Sequence, residues 1–449
     1  MAPFPISADQ PARFLGALPT ACDVVVLGGG VIGVMTAWHL AERGLTVVLC
    51  EKGRIAGEQS SRNWGWIRQQ GRDFAELPIM VESLSIWKAL AREFGAGLGF
   101  RQEGVIYLAR TEAELSGYAD WLAGAQGHGL DTQMLGRKQM QARLTGTVGP
   151  WIGGLLTPSD ARAEPWFAVP MLADGAAARG AVIIEDCAVR RLDRAAGRVT
   201  GVITERGRIA CDQVVVAGGA WSSLFLRAEG VVIPQLAVLA SVAATESLPE
   251  VYAGNAADDR FAFRRRLDGG YTLAPGGSHD FFIGPDAFRH LSTYLPVLKK
   301  KDFRSTHFRP AAPKGFPDAW ATSRRWSGDE VSPFERLRVL NPAPNQAELA
   351  KVVAEFQAAF PALPEVRLKS VWAGMIDTMP DVVPVIDRVA SVPGLVLATG
   401  LSGHGFGIGP GVGRVVADLV AGNDVGHDLA RFRLSRFSDG SKPEPGPSL

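Results

Sequence analysis

The chain has 449 residues, with 47 Lys and Arg against 46 Asp and Glu and a formal net charge of +1. That length allows two consecutive or interleaved domains with sizeable cores. The balanced charge gives no global electrostatic reason to expect nucleic acid or an anionic membrane as partner, which leaves small molecules. Four cysteines, Cys22, Cys50, Cys187 and Cys211, never form the close pairs of a zinc site or redox motif. They read as small buried hydrophobes, and no metal is expected.

The first twenty residues, "MAPFPISADQPARFLGALPT", have no basic start and no long apolar core, so neither a signal nor a transit peptide is expected and the cytoplasm is the default location. The run "VVVLGGGVIGVMTAW" is too short, too rich in glycine and too close to Glu42 and Arg43 for a transmembrane segment. "DVVVL", residues 23–27, predicts a buried parallel strand. "VIGVMTAWHLAERG" has apolar residues at helical spacing and ends at Gly44, and "LTVVLCEK" predicts a second strand ending in Glu51.

Strand, glycine turn, helix, strand and acid make a complete βαβ unit, the context that gives "GGGVIG" its meaning. Gly28 permits the tight turn, Gly30 lets the backbone approach a pyrophosphate, and Gly33 lets helix and strand pack closely. The helix start, at Val31 and Ile32, attracts phosphates, and Glu51 can accept from ribose hydroxyls. A packing role for the glycines alone is the alternative.

Beyond Glu51, Met80, Leu84, Trp87, Ala91 and Phe94 line one face of a predicted helix. Residues 181–222 alternate strands with polar turns, a meander that returns to the first sheet through "QVVVA" and Gly218 and Gly219. "RFAFRRRLDGGYTLAPGG" predicts a β-hairpin, with Arg264, Arg265 and Arg266 on a solvated face. "LAKVVAEFQAAFP" predicts a helix. "GLVLATGLSGHGFGIGPGVGRVVADLVAG" predicts strand, glycine loop and a helix around residues 411–419, whose N-terminus and loop N–H groups would suit negative charge. The tail from Ser438 lacks apolar residues and is expected to be flexible.

Four blocks in order, "DVVVLGGGVIGVMTAWHLAERGLTVVLCEK", "GEQSSRNWG", "VVVAGGAWS" and "WAGMIDTMPDVVPVID" leading to "LATGLSGHGFGIGPGVG", resemble the glycine oxidase, sarcosine oxidase and D-amino acid oxidase type of FAD-dependent amine oxidoreductase. The resemblance implies an α/β fold: a Rossmann-like, glutathione-reductase-like FAD domain (21–90, 155–230 and 367–435) interleaved with an α+β substrate domain on an antiparallel sheet (91–154 and 231–366). Residues 1–20 would be an arm and 436–449 a flexible tail. It implies FAD contacts at Gly28, Gly30, Val31, Ile32, Gly33, Glu51, Lys52, Ser60, Ser61, Arg62, Asn63, Trp64, Gly65, Val189, Ala217, Gly218, Trp221, Gly403, His404, Gly405, Phe406 and Gly407. His404 would touch the flavin and not act as a base.

The implied reaction is oxidation of an amino acid or amine at its C–N bond, giving an imine and hydrogen peroxide. Oxygen or a quinone-like carrier would reoxidise the flavin; a dehydrogenase, or a flavin-binding protein without turnover, are the alternatives, and an oligomer is compatible. FAD should be non-covalent, since "SVWAGMIDTMPDVVPVID" holds no cysteine and residues 52–71 no histidine. The family's carboxylate-binding arginine in "AGLRP" is Ile376 here, beside Asp377. Arg68 is the first candidate to replace it, with Arg324 and Arg325 behind. Asp377 reads either as a partner for the substrate amine or as a turn former, and Trp64, Trp66 and Trp372 as pocket walls or as core.

Overall fold

The computed structural model describes residues 4–298, 305–441, 444 and 446. Two large sheets share the chain, which crosses between them repeatedly. The first has six strands in the order Val385–Arg388, Leu395–Thr399, Gln213–Val216, Val24–Leu27, Val47–Cys50 and Val182–Ile184, all parallel except the first, which runs against its neighbour. Val24–Leu27 and Val47–Cys50 are buried at every position because both faces are covered, which is why they read as unbroken runs of Val and Leu.

On one face lie the helices Val31–Glu42, Leu77–Phe94, Pro165–Ala178 and Gly405–Ala421, sharing a core with Met35, Trp38, Met80, Leu84 and Trp87. The last helix packs closely on the others because it offers hydrogen where a side chain would collide: a Cβ at Gly413 would lie 2.5 Å from the Met35 Cβ. On the opposite face the meander Val189–Ala195, Arg198–Thr204 and Gly207–Ala210 closes a second core, in which Cys50, Cys187 and Cys211 are buried; Cys22 is half-buried.

The second sheet has ten strands, antiparallel apart from two pairings, Asn255–Ala257 with Val105–Ala109 and His279–Phe282 with Thr306–Arg309. Helix Gln346–Ala359 covers its outer face over an aromatic core of Phe261, Phe263, Tyr271, Phe356 and Phe360. Strand Leu368–Thr378, grouped above with the FAD unit, pairs along its length with Leu236–Thr245 of this sheet, and Gly153–Thr157 pairs with Val105–Ala109.

The expected hairpin is present as Phe261–Arg265 and Tyr271–Pro275, but its arginines are not solvated. Arg264 is fully buried and pairs with Glu164 at 2.9 Å. Arg266 is buried against Asp268 and the Tyr271 and Thr245 carbonyls, and Arg265 lies over the Tyr271 ring. The strand is central in its sheet, so both faces are covered, and cations there survive only with acceptors around them. The final helix begins at Gly405, six residues before the expected start, because the second glycine of "GHGF" is helical, while Gly403, at φ +85°, stays in the loop.

The arm packs down from Phe4, and Glu185 Oε2 accepts the Phe14 N–H at 3.1 Å. Residues 1–3 of the arm lie outside the described residues. In the tail, so do 442, 443, 445 and 447–449, while the Glu444 carbonyl accepts from Arg431 and Gly446 N–H donates to the Asp381 carbonyl. Among the described residues no helix is long and apolar enough to cross a membrane, and no cluster of His, Cys, Asp and Glu could hold a metal.

Candidate cofactor and substrate site

A cavity of about 1220 Å³, part of it open to solvent, runs from the ends of Val24–Leu27 and Val47–Cys50 to strand Leu368–Thr378 of the second sheet. Three chain segments build its first part. Gly28 turns the chain at φ +107°, where a Cβ would strike the Ala217 carbonyl at 2.5 Å. Gly33 lies so close to this turn that a Cβ would sit 1.9 Å from the Gly28 oxygen. Gly30 caps helix Val31–Glu42 without a side chain, and the first turn holds no acid. Apart from Val31 N–H, which donates to Ser60 Oγ at 2.9 Å, that helix start offers its N–H groups to an anion.

Glu51 closes the far side. Its two oxygens accept from Gly29 N–H at 2.6 Å and Gly53 N–H at 2.7 Å, and burial pushes its carboxyl up to about 7. Lys52 is spent on Glu58 at 2.6 Å and on the Leu337 and Arg338 carbonyls, over the Trp221 ring. Glu58, absent from the sequence reading, also accepts from Trp221 Nε1 and Leu340 N–H. Glycines that admit close approach, a phosphate-ready helix start and an acid at the end of the second strand fit an ADP-bearing dinucleotide such as FAD.

Of the residues expected to touch FAD, Gly28, Gly30, Val31, Ile32, Glu51, Lys52, Ser60, Asn63, Val189, Ala217, Gly218, Trp221, Gly403, Gly405 and Phe406 line this cavity, and so does Asp377. The others stand behind it. Gly33 packs helix on strand, and Ser61 Oγ donates to the Glu58 carbonyl. Arg62 is buried under Phe4 and donates to the Ala373 and Ile6 carbonyls and to Asn341. Gly407 accepts from Ser83 and Trp87.

Trp64 meets Trp66 edge to face at 5.4 Å, and Trp372 donates Nε1 to the Arg62 carbonyl while packing on Phe4 and Trp166. The tryptophans thus form aromatic layers behind the cavity wall. Under them Gly65, at φ +78°, lies on the Arg264 guanidinium, 2.8 Å from where its Cβ would be. That Arg264–Glu164 pair escaped the sequence reading, since its halves are a hundred positions apart.

Asp377 holds the loop before the last helix. Its Oδ2 accepts Gly400 N–H at 2.8 Å and Leu401 N–H at 3.3 Å, its carbonyl accepts Ser402 N–H, and burial pushes its carboxyl to about 6. His404 follows. Its Nε2 lies 3.2 Å from Arg68 Nη2, and Arg72 donates to its carbonyl at 3.1 Å. Burial, then the Arg72 charge, holds its pKa down to about 4, so the ring is neutral and accepts from Arg68. Arg68 also donates to the Gln70 carbonyl and lies over Tyr107; it makes no ion pair among the described residues. Arg324 is committed to Asp318 at 3.0 Å, and Arg325 is exposed.

The family model described as "FAD dependent oxidoreductase" (DAO) matches residues 23–419. The L-amino acid deaminase of Proteus myxofaciens, solved with anthranilate, superposes with a TM-score of 0.89 at 30% identity, covering 96% of this chain and all of that one. The L-amino acid deaminase of Proteus vulgaris superposes at 0.88 with 32% identity, over 94% and 98%. Among curated proteins, sarcosine oxidase subunit beta of Rhizobium meliloti (strain 1021) is 26% identical over 93% of this chain and 89% of its own length. Human mitochondrial sarcosine dehydrogenase is 28% identical over 61% of this chain, which spans 30% of that longer protein. With the dinucleotide cradle and a family match across nearly the whole chain, the protein belongs to the FAD-dependent oxidoreductases and is a flavoprotein enzyme of that family.

Proposed function

We propose that the protein oxidises the C–N bond of an amino acid or amine, with FAD bound non-covalently and oxygen as the acceptor that yields hydrogen peroxide. The observation that carries this reading is the course of the cavity. It continues past the phosphate cradle and ends against a strand of the second sheet, at Met375 and Asp377, beside the start of the last helix. Bound there, FAD supplies a two-electron acceptor for hydride from the carbon bearing nitrogen.

The chain's own residues orient and exclude water. Asp377 fixes the loop at 400–402, and through it the N-terminus of helix Gly405–Ala421, whose unbonded N–H groups favour negative charge at the cavity end. Arg68 donates to His404, whose ring is kept neutral by burial and the Arg72 charge, and brings near the loop a cation with no ion pair among the described residues, which favours a substrate with a carboxylate. No cysteine lies on Leu368–Thr378, so the cofactor is dissociable.

Anaerobic mixing with L- and D-amino acids, sarcosine and simple amines should bleach the yellow colour with at least one compound, and air should restore it with peroxide release. Restoration by a quinone dye alone would make the enzyme a dehydrogenase. No bleaching by any compound would overturn the reading. Acid precipitation should leave FAD in the supernatant; colour in the pellet would contradict non-covalent binding.

A further inference from the structure

Gln59 stands apart from the other polar side chains on the cavity wall. Glu51, Glu58, Ser60 and Asp377 accept from backbone or indole N–H groups, and Lys52 and Arg54 pair with carboxylates. The Gln59 side chain makes no hydrogen bond among the described residues, and its Oε1 is buried without a partner. With the carbonyl buried and the residue on the cavity wall, the amide NH2 is the end of the side chain left to meet a ligand.

The place of the carboxamide is specific. It lies on Gly374 of strand Leu368–Thr378, where a Cβ would be 2.0 Å from Oε1 and 3.2 Å from the Arg62 Cβ. Only glycine at 374 leaves room for it. The next residue of the same short helix, Ser60, marks the phosphate cradle through its bond to Val31 N–H. Gln59 reaches toward the second sheet, with its carbonyl on Gly374, and lines the cavity together with Met375 and Asp377 of that strand; that end is what remains for the ring system once the ADP portion lies between Gly28 and Glu51.

We propose that Gln59 is a cofactor-contacting residue whose carboxamide hydrogen-bonds to the ring system of bound FAD and favours its reduced form. The physical reason is charge. The ring gains electron density on reduction, and an amide N–H in a site shielded from water stabilises the electron-rich form more than the oxidised one. Gly374 acts with it, by keeping the space the carboxamide occupies. This inference rests on FAD binding alone and stands whether or not the substrate is an amine.

The test uses the FAD-loaded protein without substrate. Wild type, Gln59→Leu, Gln59→Glu and Gly374→Ala are equilibrated with a reference dye to give the two-electron midpoint potential, and their visible spectra and FAD dissociation constants are recorded. Gln59→Leu should move the oxidised-to-reduced equilibrium about tenfold toward oxidised, roughly 30 mV. Gln59→Glu should move it further in the same direction, because it adds negative charge. Gly374→Ala should follow Gln59→Leu, and the double variant should go no lower than Gln59→Leu. If Gln59→Leu does not hold FAD, Gln59→Glu carries the test. Wild-type potentials and spectra in the loaded variants would overturn the proposal. So would a change confined to the affinity for anthranilate, used as a carboxylate probe, since the carboxamide would then face the substrate.

Discussion

Glu51 carries a carboxyl whose pKa is raised by burial to about 7 from an ordinary 4.5, even with two backbone N–H groups donating to it. A group raised on folding binds its proton more tightly in the native state, so its contribution to stability is complete below about 4.5 and is lost as pH rises through about 7. In the FAD-free protein, Glu51→Gln should therefore gain on wild type between pH 5 and pH 8, read as a difference in urea midpoints. A constant difference would show that the carboxyl titrates normally. Asp377 gives a contrasting case. Asp377→Leu strands the Gly400 and Leu401 N–H groups, at about 1–3 kcal/mol each. It should lower both the melting temperature and the affinity for FAD; Asp377→Asn, which keeps an acceptor, should lose much less of either.

At the scale of elements, the tightest contact is the crossing of the first helix over the glycine turn. Gly33→Ala puts a Cβ 1.9 Å from the Gly28 oxygen and must push helix from strand, so the variant should be colourless and destabilised. Gly117→Ala, in helix Glu112–Gly124 with nothing within 4 Å of the added carbon, should instead be neutral or gain about 0.4–1 kcal/mol. Circular dichroism melts and FAD absorbance separate the two. The first glycine loop was legible in the sequence because strand, turn, helix and acid lie within thirty residues; the second was legible as strand, loop and helix, though its helix starts six residues earlier than its glycines suggest. Arg264 was not, because three adjacent arginines look like a solvated face until Glu164 and Gly65 are brought to them from distant positions. Gln59 was hidden likewise; in a polar run it reads as loop, and only Gly374 shows where its amide goes. Arg68 is legible only as an arginine near the cofactor block; its bonds to the His404 ring and the Gln70 carbonyl depend on contacts that the sequence does not display.

Across the whole molecule, Arg62 ties the cofactor loop to the second sheet and to the arm. It donates to Ala373 at 3.0 Å, Asn341 at 2.9 Å and Gly57 at 3.2 Å, beneath Phe4. A lysine keeps the charge but cannot reach these acceptors together. Arg62→Lys should weaken FAD binding by about tenfold or more and lower the melting temperature of the loaded protein more than that of the FAD-free protein. Equal losses would mean that Arg62 serves the fold alone. In wild type, FAD at a hundredfold excess over its dissociation constant should stabilise by about 2.7 kcal/mol, which differential scanning with and without added FAD measures.

The cavity wall also sets a timetable for biosynthesis. Leu27 to Ile32 leave the ribosome more than 370 residues before Gly405 and Phe406. At about 5–20 residues per second, tens of seconds separate the two. During that interval the fingerprint exists without the wall that completes it, and the parallel strand Leu395–Thr399 has yet to join the sheet beside Gln213–Val216. Cofactor capture is thus expected only after residues 395–406 have been made. A stalled chain ending before Leu395 should emerge colourless even in a flavin-rich cell, with its earlier helices awaiting the glycine-faced helix Gly405–Ala421.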